Sequence, residues 1–304
     1  PIERKNNDTP IVLVSASGGL DSSTTLAVLK AAEMNPVAVH FNYSSRAAEA
    51  EAVAIKEVTK LLDIPLYKFD ISENMKMLDS GMLTDKDAKI ITGTDAGLKT
   101  TAAWTVYRNH LFTIYMASLA ESLIMKYNYT EVFLTGGFMN LSESGSYPDN
   151  SERFIDAAMK FSKFSITGTR LRPLYGMCNI LKTEQYVLLD ALGLLNKLSP
   201  WMVSCDRPRV AIENGELVPQ NCSKDGKPAC GSGLLSYWAA KMAGVPDLRR
   251  YYTVNDPEYK AFEPDSTLSV KDINVDHIIS RILIPEKYLE ILRNKVHTHK
   301  NAGS

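Results

Sequence analysis

The sequence predicts an α/β fold: a doubly wound parallel sheet of five strands, followed by a small cysteine-containing subdomain and a C-terminal extension. Three observations carry this reading. Short β-rich apolar runs alternate with stretches whose apolar residues recur at helical spacing, the rhythm of a parallel sheet covered on both faces. A turn of small residues joins the first such run directly to a helix start. Three of the four cysteines then fall between 205 and 230, beyond the last alternating unit. The expected division is 1–198 for the α/β domain, 199–247 for the cysteine-containing subdomain and 248–304 for the extension.

The elements follow in order. Ile11–Val14 is a buried strand, and Asp21-Ser22-Ser23 opens a helix that runs to about Met34. Pro36–Phe41 is the second strand. A helix from about Arg46 carries an apolar stripe of Ala47, Ala50, Ala54, Val58 and Leu61. Pro65–Asp70 is the third strand. Residues 72–103, rich in Lys, Asp, Thr and Gly, break the rhythm and read as a long loop. The spacing of Leu111, Ile114, Tyr115, Leu119 and Leu123 predicts a helix over Trp104–Tyr127. Glu131–Gly136 is the fourth strand, 138–150 a second loop, Glu152–Phe164 a helix and Thr169–Pro173 the fifth strand. Lys182–Leu192 is a helix closed by Gly193. After Asp247 the chain reads as polar and irregular until a last helix from Pro285 to about Asn294. No internal repeat is evident.

Composition narrows the class. Of 304 residues, 45% are hydrophobic and 23% charged, ordinary for a globular protein. Lys plus Arg number 34 and Asp plus Glu 35, and this balance argues against a non-specific grip on nucleic acid. No apolar run reaches the ~20 residues of a membrane span, and the polar start has no signal-peptide core. A cytoplasmic protein is expected, with its cysteines as thiols rather than disulfides.

The string Ser17-Gly18-Gly19-Leu20-Asp21-Ser22 carries the chemistry. A helix that starts directly after a buried strand aims its unpaired N–H groups and positive dipole end at the sheet edge, which makes an anion site. Gly18 and Gly19 would let the backbone approach a ligand, and Ser17, Ser22 and Ser23 add hydroxyls. The kinase-type loop G-x-x-x-x-G-K-[ST] is absent. The plain alternative is a tight Gly-Gly turn followed by an N-cap.

The full string resembles the signature of the PP-loop ATP pyrophosphatases, which split ATP between its α and β phosphates and leave a substrate adenylylated. Further stretches narrow the resemblance to the 7-cyano-7-deazaguanine synthase family: His40–Glu49, Leu83-Thr84-Asp85, Val106-Tyr107-Arg108-Asn109, Ser144–Asp149 followed by Phe154, Arg172-Pro173-Leu174, Lys182-Thr183-Glu184, Ser204-Cys205 and Ala229-Cys230-Gly231. They follow the family's order over residues 10 to about 247. The resemblance implies a substrate, 7-carboxy-7-deazaguanine, whose carboxylate is adenylylated; ammonia displaces AMP, and the amide is dehydrated to a nitrile with more ATP. The cofactors implied are ATP and Mg²⁺, with Zn²⁺ a candidate, and a homodimer is compatible with the family.

By the same resemblance, Asp21, Ser22 and Lys182 are the catalytic residues, Asp21 helping to hold Mg²⁺ and Lys182 neutralising the α-phosphate. Ser15, Ser17, Gly18, Gly19, Leu20, Asp21, Ser22, Ser23, His40 and Phe41 would bind ATP and its pyrophosphate. Tyr43, Arg46, Arg108, Asn109, Tyr147 and Asp149 would bind the nucleobase, with Glu49 and Arg153 further candidates. Tyr43 and Tyr147 could stack on a flat heterocycle, and an arginine could neutralise its carboxylate. Plainer readings stand beside these. Arg46 and Glu49 could be a surface ion pair, Tyr43 a packed strand end, Arg108-Asn109 a helix's first turn and Tyr147-Pro148-Asp149 an ordinary turn. Two rival functions also stand: another PP-loop activity, such as tRNA thiolation or deazaguanine conjugation, and a non-catalytic nucleotide- or deazapurine-binding homologue.

The family's zinc motif, one Cys followed by C-G-x-C-x-x-C, is broken here. Cys205 and Cys230 match, but Gly233 and Ser236 stand at the next two positions. Cys222 lies in an insertion, Asp206 to Asn221. Either zinc is held by a rebuilt set of Cys205, Cys222 and Cys230, with a fourth ligand from Cys178, a histidine, an aspartate or water, or the metal has been lost.

Overall fold

The computed structural model describes residues 9–77, 105, 107–137, 149, 151–162, 164–165, 167, 170–255, 269–270 and 272–303. The expectations placed on Leu83-Thr84-Asp85 and on Tyr147 lie outside these residues.

Five strands, β1 (Ile11–Ser15), β2 (Pro36–Asn42), β3 (Leu66–Asp70), β4 (Val132–Gly136) and β5 (Leu171–Pro173), form a sheet in the order β3-β2-β1-β4-β5. Every pairing is parallel, with Leu13 opposite Val37 on one side and Leu134 on the other. Strand order reverses between β1 and β4, so a crevice opens at their C-terminal ends, where open α/β sheets bind ligands.

Alternation along the strands divides the core. Val12, Val14, Ala38 and Phe133 face one layer, which holds α1 (Leu20–Ala31), α2 (Ala48–Leu62) and α6 (Lys182–Ala191). Ile11, Leu13, Val37, Val39, Val132 and Leu134 face the other, which holds α4 (Arg108–Tyr127) and α5 (Glu152–Ser162). Two helical stripes differ from the sequence expectation. On α2 the stripe ends at buried Leu62, while Leu61 is exposed, because the buried face runs through Ala54, Ile55, Val58 and Thr59 and reaches Leu62 rather than Leu61 at 3.6 residues per turn. On α4 the fully buried positions are Met116, Ala120, Leu123 and Ile124, and Ile114 faces outward. Within the stretch expected to be loop, α3 (Ser72–Lys76) forms one short turn of helix.

Beyond α7 (Leu195–Leu198) and a turn at Ser199–Trp201, the chain forms a second sheet. The insertion folds as an antiparallel hairpin of β6 (Arg209–Glu213) and β7 (Glu216–Lys224), turning at Asn214-Gly215. Further along, β7 pairs with β8 (Lys227–Pro228), antiparallel, and on its other edge, in parallel, with β9 (Tyr251–Thr253). Helix α8 (Gly231–Met242) follows β8.

The tail departs most from expectation. It supplies β9, then α9 (Val275–Ser280) and α10 (Glu286–Gly303). Ile278, Ile279, Ile282, Leu289, Leu292 and Val296 are buried in the same core layer as α1 and α6. Gly176 and Leu283 exchange backbone hydrogen bonds of 3.2 and 2.9 Å, which joins the tail to the segment before α6. What reads as a polar extension is thus a structural layer, because its apolar residues come in short groups on short elements.

Candidate active site

Ser15 ends β1, and Ala16 to Gly19 form the turn into α1. Gly18 has φ +81°, and a Cβ there would lie 2.6 Å from the Ile55 amide and 2.7 Å from Ala54 Cβ. A Cβ on Gly19 would come within 3.0 Å of the Val203 carbonyl. Both glycines are therefore required by protein on their far side, α2 and residue 203, rather than only by a close ligand. Gly19 is the N-cap of α1 and has no side chain to cap its first turn, which leaves amides in the first turn for an anion. Ser22 Oγ accepts from the Ser17 amide at 3.3 Å and so holds the turn closed. Leu20 and Ser23 are fully buried and serve the packing of α1.

Asp21 stands in that first turn. Lys182 Nζ donates to its Oδ2 at 2.5 Å, and Gln185 Nε2 donates to its Oδ1 at 3.0 Å. Both donors come from one face of α6, one turn apart. The helix is fixed at its start by Glu184, which accepts from the Leu181 amide at 2.8 Å and pairs with Arg281 of the tail. The structure brings together Lys182 and Asp21, both expected as site residues; Gln185 was not singled out, although its spacing from Lys182 places it on the same face.

A cavity of about 180 Å³ opens between the loop and α4. Ser15, Ser17, Gly19, Asp21 and Ser22 line one end, with Gly136 and Gly137 after β4. Gly137 packs so closely that a Cβ would lie 2.8 Å from the Ser22 amide. His40, Phe41, Tyr43, Glu51, Arg108 and Asn109 line the rest. His40 Nδ1 donates to the Ala16 carbonyl at 3.1 Å, which ties β2 to the loop. Burial holds this imidazole below its ordinary pKa. Phe41 stacks on Phe112 with centroids 4.1 Å apart.

Tyr43 is buried at the strand's end and meets Phe112 edge-on. Its hydroxyl accepts from Arg108 at 3.3 Å, and the guanidinium lies over its ring. Its ring is thus committed to protein contacts, and it holds Arg108 at the cavity wall. Arg108 and Asn109 do form a helix's first turn, as the plain reading has it, and they line the cavity as well. Asn109 Nδ2 donates to the backbone carbonyl of Asp149 at 3.3 Å. Burial raises the Asp149 carboxyl's pKa and Arg108 partly offsets this.

The acidic residue at this wall is Glu51, which sequence reasoning passed over for Glu49. Glu49 is exposed, whereas Glu51 is half-buried and lines the cavity. Desolvation pushes the Glu51 carboxyl up to about 7, against the pull of Arg108. Arg46 is half-buried in the turn before α2, and Arg153 is exposed on α5; neither lines this cavity.

A second cluster lies behind the loop. The sulfurs of Cys205, Cys222 and Cys230 fall within 4.8 Å of one another, and all three residues are buried. Cys205 and Cys230 sulfurs are 3.7 Å apart, close to the roughly 3.8 Å edge of a zinc tetrahedron with Zn–S near 2.3 Å. Amides of Arg207 and Cys222 donate to the Cys205 sulfur at 3.4 and 3.2 Å, and those of Asp206 and Gly233 to the Cys230 sulfur, both at 3.4 Å. Such N–H donors suit thiolates. Without a metal, burial raises the Cys205 thiol well above its ordinary pKa, and the contact with Cys205 does the same for Cys230. The donor set thus fits a soft metal ion on three sides. Cys178 belongs to the opposite core layer and is not the fourth ligand. Ser236 pairs with the Tyr186 hydroxyl at 2.9 Å, in the core.

The cysteine cluster touches the loop through residues 203–204. The Val203 amide donates to the Gly18 carbonyl at 3.1 Å, and Ser204 Oγ lies 3.5 Å from the Leu20 amide. Asn221 fixes the same stretch by accepting from the Ser204 amide and donating to the Met202 carbonyl.

Comparison with known proteins agrees with this geometry. The family model described as "Queuosine biosynthesis protein QueC" matches residues 11–216. A 7-cyano-7-deazaguanine synthase of Saccharolobus solfataricus is 30% identical over 244 residues, 79% of this chain and 47% of the relative. One of Aliarcobacter butzleri is 32% identical over 241 residues, 77% of this chain and 92% of the relative. One of Methanocaldococcus jannaschii is 26% identical over 246 residues, 77% of this chain and 96% of the relative. The chain spans about half the length of the Saccharolobus relative and of a similar Sulfurisphaera tokodaii synthase. By the length of the family match and the Aliarcobacter relative, the chain belongs to the QueC family of queuosine biosynthesis proteins.

Proposed function

We propose that the chain is an ATP-dependent carbon–nitrogen ligase that adenylylates the carboxylate of 7-carboxy-7-deazaguanine and converts it, with ammonia, to 7-cyano-7-deazaguanine. The observation that carries this is the juxtaposition of Asp21 with Lys182 and Gln185 beside the first turn of α1, Asp21 itself lining a cavity that also reaches Glu51 and Arg108. The names of the relatives supply the product, 7-cyano-7-deazaguanine.

The loop amides and Ser17 and Ser22 would hold the pyrophosphate, and Asp21 the Mg²⁺ that neutralises it. Lys182 would leave Asp21 for the α-phosphate as the nucleobase carboxylate attacks and pyrophosphate departs. Arg108, oriented by Tyr43, would hold that carboxylate. Ammonia then displaces AMP to give the amide. A second ATP activates the amide oxygen, and loss of AMP leaves the nitrile. Ammonium must lose a proton before it attacks, and Glu51, pushed up to about 7, is matched to accept one near neutral pH. Cys205, Cys222 and Cys230 would hold zinc, and through it would tie the base of the hairpin and the stretch 203–204 to the loop.

The test is incubation of the full chain with 7-carboxy-7-deazaguanine, ammonium, Mg²⁺ and ATP, with AMP, pyrophosphate and nucleobase mass followed together. AMP with the nitrile supports the full reaction. AMP with an amide or a conjugate would change the acceptor, and no substrate-dependent AMP would overturn the reading.

A further inference from the structure

Gln185 is a polar side chain that is fully buried, in a place where a leucine or methionine would cost less. Its Nε2 donates to Asp21 Oδ1 at 3.0 Å, while its Oε1 has no hydrogen-bond partner among the described residues. The orientation of the amide is fixed by this contact, since a carboxylate oxygen only accepts. An unpaired buried carbonyl is a cost to stability, so packing does not account for the residue.

The two donors to Asp21 are unlike. Lys182 is a charged, flexible chain suited to follow a phosphate, and Gln185 is a neutral amide locked in the core one turn further along α6. If Lys182 moves to ATP, Oδ2 loses its partner and, among the described residues, Gln185 alone still fixes the carboxylate. We infer that Gln185 is the positioning residue that holds Asp21 in its metal-binding orientation during the interval when Lys182 serves the nucleotide. Its neutrality matters: a second cation there would compete with the metal for Asp21, and an apolar residue would let the carboxylate rotate. The inference rests on the reading of Asp21 as the metal-holding carboxylate.

The test needs neither nucleobase nor turnover. Binding of the α,β-methylene analogue of ATP to the full chain is measured with Mg²⁺ and with a chelator, and the ratio of the two affinities is the metal enhancement. Q185L and Q185M should lower that enhancement about tenfold, the scale of losing a partner that orients a ligand. Their affinity for the analogue in chelator should stay within about twofold of the parent, since no phosphate contact is removed. In an Asp21→Asn background the Q185L change should have no further effect on the enhancement, because the group it positions is gone. Should Q185L fail to fold, Q185M, which is nearly isosteric, decides. An undiminished enhancement in the folded variant, or an undiminished effect of Q185L in the Asp21→Asn background, would overturn the inference. A parent protein with no enhancement would instead remove the assignment of Asp21 on which it rests.

Discussion

Lys182 and Asp21, 161 residues apart in sequence, meet at 2.5 Å between Nζ and Oδ2. The contact joins the end of the domain's alternating pattern to its beginning, at the point where strand order reverses. It is mostly shielded from water, with side-chain exposures of 7% and 19%. The pair places a cation where charge would develop on a transferred α-phosphate. Lys182→Met should lower AMP formation about 10²–10³-fold, the scale of removing one preorganised charge-stabilising donor. The fold should persist, because Gln185 still holds Asp21. Steady-state rates read beside a melting curve check both parts.

Glu51 makes stability depend on pH. Its folded-state pKa of about 7 lies above the ordinary 4.5, so the folded state holds a proton that the unfolded state releases earlier. The contribution is intact below pH 4.5 and is lost as pH rises through about 7. Glu51→Gln removes this dependence. The variant should match the parent at low pH and become progressively more stable than it between pH 4.5 and about 7. Chemical denaturation of both proteins across that range gives the comparison, and parallel curves would reject the assignment.

Gly18 has no room for a side chain. Alanine there would force a left-handed backbone on a residue with a Cβ and press that Cβ against Ala54 and Ile55. The expected cost is about 2–6 kcal/mol, the sum of the strain and overpacking scales. Gly18→Ala should therefore melt lower and bind ATP weakly, as thermal unfolding and nucleotide titration would show. Gly215, at the hairpin tip, also has positive φ but nothing within 4 Å, so Gly215→Ala isolates the backbone component alone.

The thiol cluster predicts a metal stoichiometry. The parent chain, dialysed against metal-free buffer, should retain about one zinc per chain. Cys205→Ser, Cys222→Ser and Cys230→Ser should each lose it, while Cys178→Ser keeps it, because Cys178 lies in the other core layer. Elemental analysis decides the point. Zinc retained by Cys222→Ser would show that the hairpin does not contribute a ligand.

Much of this arrangement is legible in the sequence because it is local. The string Ser17–Ser22 is continuous, its strand and helix flank it directly, and its meaning depends on no distant residue. The parallel sheet is legible from runs such as Ile11–Val14 and Pro36–Phe41, buried on both faces. Glu51 was missed because the family resemblance points to Glu49, and nothing in the sequence shows which side of α2 meets the cavity. Gln185 was missed because a polar residue on a helix gives no sign of burial until the packing of α8, α9 and α1 around α6 is known. The tail was misread because β9 has three residues and α9 six, too few for periodicity to register. Cys222 was recognised as a candidate, but only the hairpin's register brings it beside Cys205.

The central claim, that ATP activates the nucleobase carboxylate at this loop, is tested most directly by the fate of the carboxylate oxygen. The full chain is given 7-carboxy-7-deazaguanine whose carboxylate carries a heavy-oxygen label, with ATP, Mg²⁺ and ammonium, and the nucleotide products are read by mass spectrometry. Attack of the carboxylate on the α-phosphorus predicts AMP that carries the label in its phosphate. Unlabelled AMP, or ADP as the nucleotide product, would contradict it.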